Sequence, residues 1–333
     1  MAMIDFEHCN RETNVALSNW FDFYQTSSVS ADNSGPFGYG RYLIPNDTAP
    51  TGRAMATQST VWMQGHVFQP TPAGGNQSFY CLRDSGNVQV MLRMDPSGRL
   101  QLYRGGSLIF TTVDTVFALN AWYFVQMRAV IHGTTGSVSV YVNGVSVLTF
   151  SGNTSATGLN TCNEWGVFAS NSTRHANMML YNESGNVPNS QTPETRIFAD
   201  MPTGNGVVNQ FLPLSGASWD NLKEQPSDSD TTYVSAAAAP ASDLYAFPSA
   251  TVPAGCVVYA VANEYTVRKD DGGSNNIDAL MYSAGSVFAA NEIRTLTATY
   301  QRWRSFWDVD PSGGAAWTVA RANASQVGFK RVV

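Results

Sequence analysis

Asn143-Gly144 stands between two runs of alternating apolar residues, Ser137–Val142 (SVSVYV) and Val145–Phe150 (VSVLTF), and this arrangement admits little other than a β-hairpin. Asn and Gly both tolerate the positive φ values of a tight hairpin turn, and alternation sends every second side chain to one face. The same grammar recurs on the N-terminal side. Val88–Met94 (VQVMLRM), Arg99–Arg104 (RLQLYR) and Ser107–Val113 (SLIFTTV) are separated by Asp95-Pro96-Ser97-Gly98 and by Gly105-Gly106. Asp-Pro-Ser-Gly has proline second and glycine fourth, as a type I turn prefers, so the three runs form a meander. Trp122–Ile131 with the turn His132–Gly136, then Glu164–Ser170 and Ala176–Tyr181, extend the series. Many short strands at turn-punctuated spacing, without intervening helical periodicity, point to an antiparallel sandwich or jelly roll.

Composition removes the competing classes. Of 25 acidic and 19 basic residues, eight are Glu and three are Lys, so the strong helix formers of an exposed helix surface are nearly missing and coiled coils and helical repeats are excluded. The chain is 43% hydrophobic with a net charge of −6, which excludes a disordered polyampholyte. It has no apolar run long enough for a membrane helix, and Met1–Asn10 has neither the basic start nor the apolar core of a signal peptide. No membrane association or self-directed secretion is therefore expected. Scattered basic residues in an acidic chain argue against a nucleic-acid footprint. Cys9, Cys81, Cys162 and Cys256 form no C-x-x-C pair and read as buried thiols of a cytosolic protein.

At 333 residues the chain is long for one core, and a polar, Pro-containing seam lies at Asn182–Glu194 (NESGNVPNSQTPE). The sequence therefore divides into residues 1–190 and 195–333. The second part is also β-rich, with Val207–Leu212, Thr232–Ser235, Cys256–Val267, Ile277–Tyr282, Thr295–Arg302 and Ala316–Ala320 reading as strands. The expected fold class is all-β, with two antiparallel β-sandwich, jelly-roll-like domains.

Two resemblances sharpen this. Trp122-Tyr123-Phe124-Val125, then His132-Gly133, then Gly136–Gly144 (GSVSVYVNG) resemble the central hairpins of laminin-G-like domains, which belong to the concanavalin A-like group of jelly rolls. The resemblance covers about residues 55–182 and implies a core position for Trp122. In the second part, Trp219, Asp228–Val234 (DSDTTYV), Arg268–Gly272 (RKDDG), Trp317-Thr318, Asn323-Ala324 and Gly328-Phe329 resemble β-domains that recur in tailed-bacteriophage virion proteins. That resemblance implies a role in virion docking or oligomerisation for residues 195–333.

Glycan cleavage needs two carboxylates flanking the glycosidic bond, and the Glu-x-Asp-x-x-Glu string of the related glucanases is missing; Asp228-Ser229-Asp230 and Asp308-Val309-Asp310 read as solvated loop acids. No Gly-x-Ser-x-Gly elbow is present, and His8, His66, His132 and His175 all precede residue 190. Gly38-Tyr39-Gly40 and Gly204-Asn205-Gly206 lack the third glycine of a dinucleotide fingerprint. Asp84 and Asp114, or Asp228, Asp230 and Asp270-Asp271, are weak calcium sets better read as turn caps. Trp20, Trp62, Trp122 and Trp165 are the first part's candidates for a sugar platform, with core packing as the default for the last three. No catalytic residue, metal or cofactor is assigned.

The one dense aromatic and basic cluster, Arg302–Trp307 (RWRSFW), is the candidate protein interface, with Arg302 and Arg304 on one strand face and Trp303 on the other. Taken together, the modules imply a non-enzymatic structural component of a tailed-phage virion, made in the bacterial cytoplasm. It would be a capsid decoration, head-fibre, collar or tail accessory protein, assembling as a homo-oligomer with other virion proteins. A carbohydrate-binding adhesion module for host glycans is the alternative, and a glycan hydrolase the third reading.

Overall fold

The computed structural model describes residues 50–333 except 70–75, 169–172, 185–189, 224–229 and 250, together with the short pieces 3–7, 28–29, 36 and 43–44. His8, Cys9, Trp20, Gly38-Tyr39-Gly40 and Asp228-Ser229 lie outside the described residues. The architecture is all-β and antiparallel, and the chain divides into two compact units, Met1–Ile197 and Phe198–Val333. Among the described residues no helix is long and apolar enough to cross a membrane.

The first unit contains β1 (Met3–Glu7), β2 (Ser28–Val29), β3 (Leu43–Ile44), β4 (Thr51–Gln58), β5 (Thr60–Phe68), β6 (Gln77–Asp84), β7 (Asn87–Met94) and β8 (Leu100–Arg104). They are followed by β9 (Ser107–Thr111), β10 (Trp122–Val130), β11 (Gly136–Val142), β12 (Val145–Gly152), β13 (Cys162–Val167) and β14 (Arg174–Tyr181). One sheet has the order β12-β11-β10-β5-β14-β3-β2, with β1 also on β14, and the other has the order β4-β13-β6-β7-β8-β9. The chain crosses between sheets at β3–β4, β4–β5, β5–β6, β9–β10, β12–β13 and β13–β14, which interleaves the layers of a jelly roll.

The alternation seen in the sequence decides what faces inward. Val61, Met63 and Val67 of β5, Val125, Met127 and Ala129 of β10, and Val138, Val140 and Val142 of β11 enter the core. They meet Tyr80, Leu82, Val90, Leu92, Leu100, Leu102 and Trp165 from the opposite sheet. Trp165 is fully buried there. Its strand lies hard against β4, because a Cβ on Gly52 would come within 1.9 Å of the Trp165 carbonyl oxygen. The Asp-Pro-Ser-Gly turn forms as its residues require: Gly98 N–H donates to the Asp95 carbonyl at 2.9 Å, Gly98 has φ +76°, and the Asp95 carboxylate accepts from Ser97 N at 2.9 Å and Arg99 N at 3.0 Å. Asn143 and Gly144 both take positive φ in the hairpin turn.

The second unit contains β15 (Gly204–Asn209), β16 (Leu212–Pro213), β17 (Val234–Ser235), β18 (Ala241–Ala246), β19 (Val261–Val267), β20 (Asn276–Ser283), β21 (Ser286–Ala289), β22 (Arg294–Thr295), β23 (Gln301–Trp307), a helix α1 (Val319–Ala324) and β24 (Gln326–Arg331). Its sheet runs β15-β18-β24-β20-β21, with β22 also on β20, beside two-stranded ribbons β16-β17 and β19-β23. The β19-β23 ribbon packs on the sheet through Tyr265, Trp307, Ile277, Ala279, Met281 and Val327. Trp317 joins that core and donates its indole N–H to the Trp307 carbonyl at 2.7 Å.

Several local expectations need correction. Ala316–Ala320 is not a strand: Thr318 caps α1, its hydroxyl accepting from Arg321 N, and alanines 320, 322 and 324 favour the helix. Thr295–Arg302 splits into β22 and β23. Cys81 and Cys162 are buried free thiols, each pushed up to about 12 by burial, whereas Cys256 is an exposed thiol ahead of β19. The polar stretch 190–197 belongs to the first unit rather than to a seam.

Because Trp165 fills the centre of the first core, Trp165→Ala is expected to cost about 3–5 kcal/mol. Urea denaturation of the full chain, followed by far-UV circular dichroism, measures it.

Candidate functional site

The even-numbered residues of β5 point away from the core, yet they are not exposed. Trp62, Gln64 and His66 are at most 4% accessible, and the residues beside them on β10, Phe124 and Gln126, are equally covered. Part of the cover is the chain segment 190–197, which folds back over this outer face. Gln64 accepts at one oxygen from Gln126 Nε2 (2.8 Å), Thr192 Oγ1 (3.1 Å) and Tyr181 OH (3.2 Å). Its own amide donates to Thr195 Oγ1 at 3.0 Å, and Gln126 Nε2 also donates to Thr192 Oγ1 at 3.0 Å. Tyr181 OH donates to the Ser190 carbonyl, and Gln191 to the Gly144 carbonyl. The network is one oxygen short: Gln126 Oε1 is buried without a hydrogen-bond partner, a cost of about 1–3 kcal/mol.

The charged contacts of this face are made by Glu194 and Glu183. His66 Nε2 lies 2.8 Å from Glu194 Oε1, and burial lowers the His66 pKa even though Glu194 pulls it up. Glu183 reaches a cradle one row away. Its carboxylate takes both arms of the Arg128 guanidinium, Nε at 2.5 Å and Nη2 at 2.9 Å, and the Trp62 indole N–H at 3.1 Å. These hydrogen bonds, Arg128 first, hold Glu183 below the usual carboxylate range. Trp62 is stacked between Tyr181 (centroids 5.8 Å, planes 5°) and Tyr141 (6.2 Å, 20°). On the far side of Arg128, the outer positions of β11 and β12 are Ser137, Ser139, Thr149 and Ser151, paired across the strands as Ser137–Ser151 and Ser139–Thr149.

This geometry places the sequence candidates. Trp165 is core, as its apolar strand predicts. Trp62 is buried on the outer face instead, and Trp122 is likewise outside the core, packed on Phe68 at 5.3 Å, because its register with Phe68 fixes it to that side. His132 is a turn cap, its Nδ1 accepting from Thr134 N and Thr135 N. His175 is buried inside and its Nε2 meets the Phe168 carbonyl at 2.6 Å, so the proton sits on Nε2. Burial lowers its pKa to about 4.

The acids of the weak calcium sets are engaged by other residues: Asp84 accepts from Thr161 and Ser85, Asp230 from Arg268 and Tyr300, and Asp271 from Gly273 N and Asn275. Asp310, expected as a solvated loop acid, is instead buried and accepts from Ser312 N. Asp114 is exposed. Among the described residues no group of three His, Cys, Asp or Glu side chains is placed to hold a metal.

Arg302 and Arg304 do share a face, and both are paired with Glu264, which lies opposite Arg304 across the β19-β23 ribbon. Their side chains are 12% and 3% accessible, and Trp303, on the other face, packs against the second core with the Arg294 guanidinium 4.9 Å from its ring centre. The cradle residues Arg128, Tyr141 and Glu183 were missed by sequence reasoning. The available signal was the polar residues Gln64, His66, Gln126 and Arg128 at alternate, outward positions of otherwise apolar strands.

No protein-family model matches the chain, and no curated protein sequence does. Among solved structures it is similar to a sialidase (12% identity, TM-score 0.41, covering 55% of this chain and 19% of that one). It is also similar to the Caenorhabditis elegans galectin LEC-6 (14%, TM-score 0.30, 41% and 94%) and to Trypanosoma rangeli sialidase in complex with sialic acid (15%, TM-score 0.34, 46% and 27%). The chain thus spans about a fifth to a quarter of the sialidases it matches, and no residue role is taken from them. The expectation that the chain is not an enzyme is corrected by these matches, since sialidases are among its structural neighbours, and it is withdrawn.

Two outcomes follow. Gln64→Leu removes the shared acceptor and leaves the buried Thr192 hydroxyl without one, while Gln126 keeps Thr192 and Tyr181 keeps the Ser190 carbonyl, so a loss of about 1–3 kcal/mol is expected in urea denaturation, with faster limited proteolysis near residues 190–197. His175 has a folded pKa of about 4 against 6.5 unfolded, so its contribution is complete above pH 6.5 and is lost as pH falls toward 4. Native protein is expected to lose about 3 kcal/mol over that window through this group, a loss that His175→Gln removes in denaturation at stepped pH.

Proposed function

We propose that the chain is an exterior structural component of a tailed-phage particle and works through protein–protein assembly as a symmetric homo-oligomer. The observation that carries the assembly reading is the β16-β17 ribbon of the second unit. Leu212 and Leu214 are two residues apart on one edge, and Leu214 N–H donates to the Tyr233 carbonyl at 3.0 Å, so Tyr233 stands beside Leu214. Alternation puts all three side chains on one face, and they are 61%, 50% and 38% exposed. Single exposed apolar residues are ordinary on a protein surface, but three gathered on one ribbon face favour contact with another protein.

The low charge of the chain, 13% charged residues, suits broad contacts made of apolar and neutral polar groups. The virion part of the reading is supported by the sequence resemblance of the second half to phage β-domains. Such a component stabilises a particle by binding the assembled form in preference to free subunits.

Leu214→Asp in the full chain is expected to reduce incorporation into particles at least tenfold while leaving the circular dichroism spectrum unchanged. Quantitative mass spectrometry of purified particles, scaled to the major capsid protein, reads it. Undiminished incorporation of the variant rejects the ribbon as the contact, and absence of the native chain from particles rejects the virion reading.

A further inference from the structure

The outer face of β5, β10, β11 and β12 carries, ready-made, a receptor for a carboxylate. A planar guanidinium presents two parallel N–H bonds, an indole N–H supplies a third donor, and an aromatic ring lies alongside. The carboxylate now seated there is the chain's own Glu183, whose side chain is 36% exposed and enters from the loop after β14. Its partner Arg128 is itself 29% exposed, so the pair is open to solvent and to competition.

We propose that Arg128, Trp62 and Tyr141 form a binding site for an acidic sugar, a pyranose bearing a carboxylate, and that Glu183 occupies this site as an internal competitor. The inference does not depend on the virion reading.

Two features select a sugar over another carboxylate. Trp62 is sandwiched between Tyr181 and Tyr141 and buried, whereas Tyr141 is half-buried, so the Tyr141 ring is the apolar surface next to the guanidinium on which a pyranose face can rest. On the other side of Arg128 the outer positions of β11 and β12 form a shelf of hydroxyls, Ser137, Ser139, Thr149 and Ser151, with Arg128 Nη1 3.5 Å from Ser137 Oγ. A ring whose carboxylate sits in the cradle reaches that shelf with its own hydroxyls. The cradle is also braced from below, because Trp62 is fixed by Tyr181 and by its strand pairing with Arg128. A ligand would therefore find it formed, and only the Glu183 side chain has to leave.

Release of Glu183 need not disturb the buried hydrogen bonds around Gln64. Those run through Thr192, Thr195 and Tyr181, and Glu183 takes no part in them. Blocking and folding are thus separable.

The test uses the full chain with galacturonate as probe, methyl galactoside as its neutral counterpart, and acetate and a glutamate-bearing tripeptide as non-sugar carboxylates, in isothermal titration calorimetry. Glu183→Ala is expected to bind galacturonate at least tenfold more tightly than the native chain does. It should prefer galacturonate at least tenfold over the other three, and adding Arg128→Gln should abolish the binding. Equal affinity of Glu183→Ala and native protein overturns the self-blocking, and equal affinity for acetate or the tripeptide overturns the sugar assignment. Should Glu183→Ala fail to fold, the native chain decides: galacturonate at tens of millimolar is expected to shift the Trp62 indole N–H resonance, assigned through Trp62→Phe, and methyl galactoside is not. An unmoved resonance overturns the site.

Discussion

The two-sidedness of β5 is the constraint on which the first unit depends. One face of Thr60–Phe68 delivers Val61, Met63 and Val67 to the hydrophobic core, while the other carries Trp62, Gln64 and His66 outward. Pairing with β10 on one side and β14 on the other places Phe124, Gln126, Arg128 and Tyr181 around those outward groups. A one-residue slip of β5 would put Gln64 and His66 into the core and the valines outside, so the register is strongly specified. Everything that makes the outer face unusual follows from that register.

Most antiparallel sheets of this kind leave their second face to water. Here that face carries two glutamines, a histidine and several rings, and the segment 190–197 closes over part of it. Burying polar groups is costly unless each finds a partner, and the threonines at 192 and 195 supply partners at the spacing that the two glutamines need. The closure remains imperfect at Gln126 Oε1, and it stops short of the charged row, where Arg128 and Glu183 stay partly in solvent. The outer face therefore has a sealed half that contributes to folding and an open half with groups able to exchange partners.

The second unit solves its packing with less material. A six-stranded sheet is covered by the β19-β23 ribbon, and β18 is held to β24 closely enough that a Cβ on Gly328 would lie 2.0 Å from the Asp243 carbonyl oxygen. Asp243 is buried there, accepting from Gln210 N, Phe211 N and Tyr245 OH, and burial raises its pKa despite those donors. The Arg302 and Arg304 pair illustrates the difference between composition and placement. In sequence the two arginines look like an interface hot spot, whereas in the fold they share Glu264 on the adjacent strand.

Much of this was legible from local chemistry. Asn143-Gly144, the Asp95–Gly98 turn and the alternating runs β7 to β12 carry their structure in their own residues, because turn dihedrals and side-chain alternation are short-range properties. The all-β class follows for the same reason. What the sequence did not contain was any local mark of β18, whose Ala-Ser-Asp-Leu-Tyr-Ala is a poor strand by propensity and is held by pairing with β15 and β24. Nor did it mark the cradle, whose Trp62, Arg128, Tyr141 and Glu183 are brought together from β5, β10, β11 and the loop after β14. Sequence by itself determined the all-β class, most strands of the first unit and which side of each of them is apolar. Tertiary structure alone decided which strands lie side by side and what covers their outer faces, because those depend on pairings between residues far apart in the chain, such as Trp62 and Glu183, 121 positions apart.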